Sequence, residues 1–189
     1  MIAAAALAFL ACARVALAAD AEVQRQKAQT CVACHGLEGN SVNPAVPSLA
    51  GQPKQFITTQ LVMFRQGNRK DPQMSPIAAN LGNAEIDDFG NYFSSQKPAP
   101  PARKTAPDKI PASRRLAEQN HCVACHGPEL KGQQHIPRLA GQQAAYLRTQ
   151  LRGFKASTRF DMDGQMTSAA QALSDADIEL LADYLSGLP

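Results

Sequence analysis

The apolar residues of this chain recur at helical spacing, and the same pattern occurs twice. Within residues 53–66 they stand at i, i+4 and i+7, which predicts an amphipathic helix. The three positions are Ile57, Leu61 and Phe64. The second occurrence of this stripe is formed by Leu147, Leu151 and Phe154. No part of either half alternates with the period of two that is typical of strands, so the fold class is predicted to be all-α.

Each half also ends in a predicted helix that begins with a capping residue and acidic side chains. The caps are Asn83 in the first half and Ser174 in the second. The apolar sides of these helices consist of Ile86, Phe89 and Phe93, and of Ile178, Leu181 and Leu185. Shorter polar helices are predicted over residues 20–30 and 113–121.

The two halves are copies of one another. Pro47-Ser48-Leu49-Ala50-Gly51-Gln52 returns as Pro137-Arg138-Leu139-Ala140-Gly141-Gln142. The repeat predicts two domains of about 80 residues each, at 20–96 and 113–189. Domains of this size bury only about 60% of their unfolded surface, so a cofactor would help to complete each core.

The segment between the copies, residues 97–112, has a different composition. It contains five of the 13 prolines, which predicts an extended connector rather than a helix. Its charged residues are Lys97, Arg103, Lys104, Asp108 and Lys109. The whole chain has a net charge of only +3, and the connector holds that excess, so no domain face is basic enough to predict nucleic-acid binding.

The N-terminal stretch differs again. Residues 1–19 are apolar apart from Arg14, and Ala16-Leu17-Ala18 forms a small-x-small cleavage pattern. We expect a secretory signal peptide whose positively charged start is missing. An uncleaved anchor is the alternative, although the run is shorter than the ~20 residues of a spanning helix.

The strongest chemical signal is a pentapeptide that occurs in both halves. Cys31-Val32-Ala33-Cys34-His35 returns as Cys122-Val123-Ala124-Cys125-His126. CxxCH is the attachment signal for c-type haem, because two thiols at this spacing can each add to one vinyl group of the porphyrin. The adjacent histidine then supplies a nitrogen ligand to the iron. The sequence therefore predicts two covalently attached haem c groups.

Other chemistries of paired cysteines fit less well. In zinc ribbons the two CxxC pairs lie roughly 15–20 residues apart, whereas 87 residues separate Cys34 from Cys122. A thioredoxin-like dithiol requires a βαβ unit, for which no strand pattern is present. A disulfide within each CxxC would leave the two histidines unexplained.

A second ligand to each iron is predicted from the methionines. Of the five methionines only Met74 and Met166 recur, at 39 and 40 residues after His35 and His126. Met63 aligns with Gly153 and is expected in the core. Methionine on the second side of a haem raises its reduction potential, which suits electron transfer.

These motifs together resemble the class I cytochrome c fold, and their duplication resembles the dihaem cytochrome c4 family over residues 22–188. The resemblance implies thioether bonds at Cys31, Cys34, Cys122 and Cys125. It implies His35 with Met74, and His126 with Met166, as axial ligands. It also implies that the carbonyl groups of Pro47 and Pro137 orient the two histidines, and that two lobes related by a pseudo-twofold axis bring the haem edges towards each other. The second methionine segment lacks a counterpart of Pro76. Two further histidines, His121 and His135, have no counterparts in the first half. We expect both at the surface.

The function that this resemblance implies is a periplasmic electron carrier between a quinol:cytochrome c reductase and a terminal oxidase, and not an enzyme. The alternative is the dihaem cytochrome subunit of a flavoprotein dehydrogenase that oxidises sulfide. A dihaem peroxidase would require an open iron, against which the two methionines argue. We expect a monomer with redox-protein partners, compatible with peripheral membrane association.

Overall fold

The computed structural model describes residues 22–189, so the signal prediction for residues 1–19 lies outside the described part of the chain. In the first half, residues 22–27 are helical and precede four α-helices. These are α1 (Gln29–His35), α2 (Lys54–Arg65), α3 (Met74–Ala79) and α4 (Asn83–Ser95), with a 3₁₀ turn at Leu37–Gly39. The second half contains α5 (Ile110–Gln119), α6 (Cys122–His126), α7 (Ala144–Lys155), α8 (Gln165–Gln171) and α9 (Asp175–Ser186). Residues 22–189 form no β-strand beyond an isolated bridge between Gln133 and Ile136, in agreement with an all-α fold.

The predicted stripes face the two cores. Helix α2 packs against α4, and α7 packs against α9 in the same way. The apolar side chains of α4 and α9 that were predicted to face inwards are all buried. Helices α2 and α4 come unusually close at Gly90, where a Cβ atom would lie 2.7 Å from Cγ2 of Thr58. A side chain at position 90 would force the two helices apart.

Two predicted boundaries are wrong. Helix α5 begins at Ile110, so the last three residues of the predicted connector are helical. Pro111 is compatible with this start, because the first helical positions have no intrahelical partner for a backbone N–H. In the first half the N-cap is Gly82, and Asn83 is already helical. Glu85 accepts a hydrogen bond from the Gly82 amide at 2.9 Å, and Ser174 caps α9 as predicted.

The connector is fastened at its start. The Asn40 side chain accepts a hydrogen bond from the Ala99 amide at 2.7 Å and donates one to the Lys97 carbonyl at 3.1 Å. Towards the other end, Thr105 Oγ1 donates to the Asp183 carbonyl at 3.2 Å. The connector thus lies against both halves of the chain.

The two halves contact each other directly. Gln143 Nε2 donates to the Ser41 carbonyl at 2.6 Å, and the Tyr146 amide donates to the Pro44 carbonyl at 3.1 Å. None of the helices within residues 22–189 is long and apolar enough to cross a membrane.

Candidate haem sites

The two CxxCH motifs form the short helices α1 and α6, and the helix geometry brings their reactive groups together. In an α-helix, side chains three and four positions apart lie on one face. Cys34 and His35 therefore lie on the same face of α1 as Cys31. The corresponding residues of α6 are Cys122, Cys125 and His126.

The four cysteines of these motifs are free thiols in the described structure. Cys34 and Cys125 are exposed, whereas Cys31 and Cys122 are partly buried, and this burial raises the pKa of both thiols. Residues 22–189 contain no cluster of three or more His, Cys, Asp or Glu side chains that could hold a metal ion. Each motif offers two thiols, which matches the attachment of one porphyrin per motif.

The two histidines have the same environment. Nδ1 of His35 lies 2.8 Å from the Pro47 carbonyl oxygen, and Nδ1 of His126 lies 2.8 Å from that of Pro137. Since a carbonyl oxygen can only accept, Nδ1 carries the proton in each ring. The lone pair of Nε2 is then free to bind a metal.

Burial also favours the neutral, metal-binding form of these rings. His35 and His126 are 7% and 4% exposed, and burial lowers the pKa of each imidazole despite the opposing effect of the proline carbonyl. A neutral, oriented imidazole fits the axial position of a haem iron. The residues present at both motifs therefore fit a covalently attached haem.

The structure places the two candidate methionines in equivalent positions on separate short helices. Met74 is the first residue of α3, which packs against α2, and Met166 lies in the first turn of α8, which packs against α7. Both side chains are half-buried. Met63 is buried in the core as predicted, whereas Met162 is 69% exposed. His121 and His135 are exposed, as predicted.

Sequence reasoning missed the carboxylates that position these methionines. The Met74 amide donates to Asp71 at 2.8 Å, and the Met166 amide donates to Asp161 at 2.8 Å. The two aspartates occupy equivalent places in the repeat, and each follows two residues after an arginine. Their recurrence was the available signal, but an aspartate in a loop has many ordinary roles.

Two arginines at the contact between the halves were also missed. Arg69 stacks on Phe64 and Arg159 on Phe154, each at 4.5 Å from the ring centre. Both arginine side chains are half-buried. Burial lowers the pKa of Arg159 to about 10, and its Nε atom is buried with no hydrogen-bond partner in the described part of the chain.

Two further arginines of the second half are paired with carboxylates of the same half. Arg148 contacts Glu179 at 2.5 Å and also pairs with Asp183, and Arg152 contacts Glu179 at 2.8 Å. These pairs join α7 to α9. They are partly exposed, so each contributes little to stability by itself.

Comparisons with known proteins agree with this geometry. The Cytochrome c family model matches residues 21–97 and again residues 112–189. Cytochrome c4 from Pseudomonas aeruginosa is 35% identical over 181 residues, which is 90% of each chain. A "thiosulfate dehydrogenase electron acceptor" from Thiomonas intermedia is 34% identical over 86% of this chain and 80% of its own. The crystal structure of reduced recombinant cytochrome c4 from Pseudomonas stutzeri superposes with a TM-score of 0.83 at 33% identity, covering 89% of this chain and 98% of that one.

Two matches to one family model confirm the predicted tandem arrangement, and the identity to cytochrome c4 extends over nearly the whole chain. The structural match confirms the predicted fold at the level of the complete two-domain molecule. The chain therefore belongs to the dihaem cytochrome c4 family, electron-transfer proteins, not enzymes, with two cytochrome c domains that each carry a covalently bound haem c.

Proposed function

We propose that this dihaem cytochrome is a periplasmic carrier that takes electrons from a quinol:cytochrome c reductase and delivers them to a terminal oxidase. The observation that supports this function best is the equivalence of the two sites. Both histidines make the same 2.8 Å bond to a proline carbonyl, and both methionines lie in the first turn of a short helix, where the methionine amide donates a hydrogen bond to an aspartate. Two equivalent sites, each with a histidine and a methionine as candidate iron ligands, suit electron transfer better than substrate binding.

The residues that would hold the haem groups follow from the motifs. Cys31 and Cys34 would form the thioether bonds of the first domain, and Cys122 and Cys125 those of the second. His35 with Met74, and His126 with Met166, would be the axial ligands. When bound, each haem supplies an iron that changes between the ferric and ferrous states.

The chain's own part in electron transfer is to keep the proposed iron ligands in fixed positions. The Pro47 and Pro137 carbonyls fix the tautomer and the orientation of the two imidazoles. Asp71 and Asp161 fix the backbone from which the two methionines project. No proton has to be moved at a reacting atom, so neither domain needs a general acid, a base or a nucleophile.

The periplasmic location is inferred from the chemistry of attachment and from the N-terminal sequence. The c-type haem of bacteria is attached on the oxidising side of the membrane, and residues 1–19 resemble a secretory signal. We propose a monomer that meets its partners at the membrane surface.

A second candidate function is the electron-accepting cytochrome of a dehydrogenase. It is supported by the relative from Thiomonas intermedia, which is described as a thiosulfate dehydrogenase electron acceptor. A flavoprotein that oxidises sulfide would need the same kind of partner. In both cases the catalytic centre would lie on another chain.

A spectroelectrochemical titration of the holoprotein, with carbon monoxide added to the reduced form, tests the closed-site carrier. We expect two low-spin haems at positive potentials, both inert to carbon monoxide. Carbon monoxide binding at either haem would contradict the proposal. Reduction of the protein by quinol-fed membranes, compared with reduction by sulfide or thiosulfate dehydrogenase, then separates the two candidate functions.

A further inference from the structure

Each haem-site histidine is connected to the other domain through a single peptide group. The carbonyl of Pro47, which accepts from His35, belongs to the same peptide group as the amide of Ser48. That Ser48 amide donates to Oε1 of Gln142 at 2.8 Å. In return, Nε2 of Gln142 donates to the Ser48 carbonyl at 2.9 Å.

The second domain has the equivalent arrangement, with the roles of the two domains exchanged. The Pro137 carbonyl accepts from His126, and the next amide, that of Arg138, donates to Oε1 of Gln52 at 3.0 Å. Nε2 of Gln52 donates to the Arg138 carbonyl at 2.9 Å. Gln52 and Gln142 occupy equivalent places in the repeat, so each domain presents a glutamine to the histidine-holding peptide of the other.

Both glutamines are buried, at 3% and 4% exposure, so water competes little for these bonds. In such surroundings hydrogen bonds in a chain polarise one another. An amide N–H that donates a hydrogen bond makes the carbonyl oxygen of its own peptide group more negative. The proline carbonyl then attracts the Nδ1 proton of the histidine more strongly, which makes the imidazole a better electron donor to a metal.

We propose that Gln52 and Gln142 are positioning residues, each of which lowers the reduction potential of the haem in the opposite domain. This inference rests on the proposed axial histidines. A more electron-rich imidazole stabilises ferric iron relative to ferrous iron, which gives the direction. Gln142 therefore acts on the haem of the first domain through Ser48, Pro47 and His35, and Gln52 acts on the haem of the second domain.

The test compares Gln142→Leu with Gln143→Leu in the holoprotein. Gln143 donates to the Ser41 carbonyl at 2.6 Å across the same contact between the domains, but it does not touch the Pro47–Ser48 peptide group. In Gln142→Leu we expect the first haem to be reduced more easily, by about threefold in the equilibrium constant. This effect is below the tenfold or more that is typical of a direct partner of a metal ligand. The second haem should not change, and Gln143→Leu should change neither. In Gln52→Leu we expect the second haem to be reduced more easily and the first haem to be unchanged.

Nuclear magnetic resonance provides a readout that does not depend on the potential. In the ferrous protein, Gln142→Leu should shift the Ser48 amide and the Nδ1 proton of His35, while those of Arg138 and His126 stay in place. Equal shifts of both haem potentials in the Gln142 and Gln143 variants would show a loosened contact and overturn the proposal, as would unchanged potentials. If Gln142→Leu does not fold, Gln142→Met retains the side-chain length and removes both polar atoms.

The variant His35→Ala tests the ligand assignment on which this inference rests. An unchanged low-spin spectrum of the first haem in this variant would remove His35 as an axial ligand, and the inference with it. A changed spectrum, together with unchanged potentials in Gln142→Leu, would overturn the role of the glutamine alone and leave the proposed function standing.

Discussion

Arg69 of the first domain donates a hydrogen bond of 3.1 Å to the hydroxyl group of Tyr146 in the second domain. The same guanidinium group also reaches Gln60 at 2.6 Å within its own domain and Gln150 at 3.2 Å in the other. Position 146 corresponds to Phe56 in the repeat, so this bond exists on one side of the molecule alone. The bond between Arg69 and Tyr146 therefore links the two domains at a position where the two copies of the repeat differ.

We expect Tyr146→Phe to reduce the free energy of unfolding by about 1.5 kcal/mol, the lower end of the range for a hydrogen bond to a charged group. The loss should stay small, because Arg69 retains its two glutamine partners. Urea unfolding followed by circular dichroism measures it. Tyr184→Phe, within the core of the second domain, is the control, because the Tyr184 hydroxyl group makes no hydrogen bond within residues 22–189. An unchanged free energy of unfolding in Tyr146→Phe would contradict this role for the bond.

The parts of the fold that were predicted correctly depend on local patterns. The stripe containing Ile57 and Phe64 specifies its helix through the spacing of neighbouring residues, and Ser174 caps α9 through an interaction three residues away. The start of α5 was predicted too late because the proline content of the connector outweighed the tolerance of a helix for proline in its first turn.

The site was predictable where the chemistry lies within one motif and unpredictable where it crosses between domains. CxxCH carries its own spacing, so Cys31, Cys34 and His35 could be proposed as haem-binding residues from the sequence. Gln142 meets Ser48 across 94 residues, and only the docking of the two domains brings them together. Its recurrence with Gln52 was visible, but a repeated glutamine does not reveal its partner.

A control in the same segment can separate the proposed ligand role of Met166 from the general effect of shortening a side chain there. We expect Met166→Ala to open one coordination position on the second haem, lower its potential and allow carbon monoxide to bind the reduced protein. Met162→Ala is the matched control, because Met162 lies four residues earlier and is 69% exposed. Optical spectra of the reduced protein with carbon monoxide give the answer. Carbon monoxide binding in neither variant would remove Met166 as a ligand.

The two domains should depend on their haem groups to a similar extent. The first domain buries ten apolar residues and the second buries twelve. Since buried apolar surface stabilises a fold by roughly 25 cal/mol per Å², neither core has a large advantage once its haem is absent. We expect Cys31→Ala with Cys34→Ala and Cys122→Ala with Cys125→Ala to lose similar amounts of helical signal. Far-UV circular dichroism measures the loss, and hydrogen exchange locates it. A loss in only one of the two double variants would contradict the dependence on core size.

The cap of the last helix should make part of the stability depend on pH. Asp177 accepts hydrogen bonds from the hydroxyl group of Ser174 at 2.6 Å and from its amide at 2.8 Å, and these bonds lower the pKa of the carboxyl group from 3.8. A carboxylate with a depressed pKa stabilises the fold fully above the unfolded value, and this contribution is lost as the pH falls through the folded value. Asp177→Asn should therefore be less stable than the parent at pH 7 by up to about 1 kcal/mol, and the difference should shrink below pH 4. Thermal unfolding at both pH values measures it. Asp175→Asn, in the same helical turn but outside these bonds, should cost less at pH 7, and a deficit of Asp177→Asn that is independent of pH would contradict the role of the carboxylate.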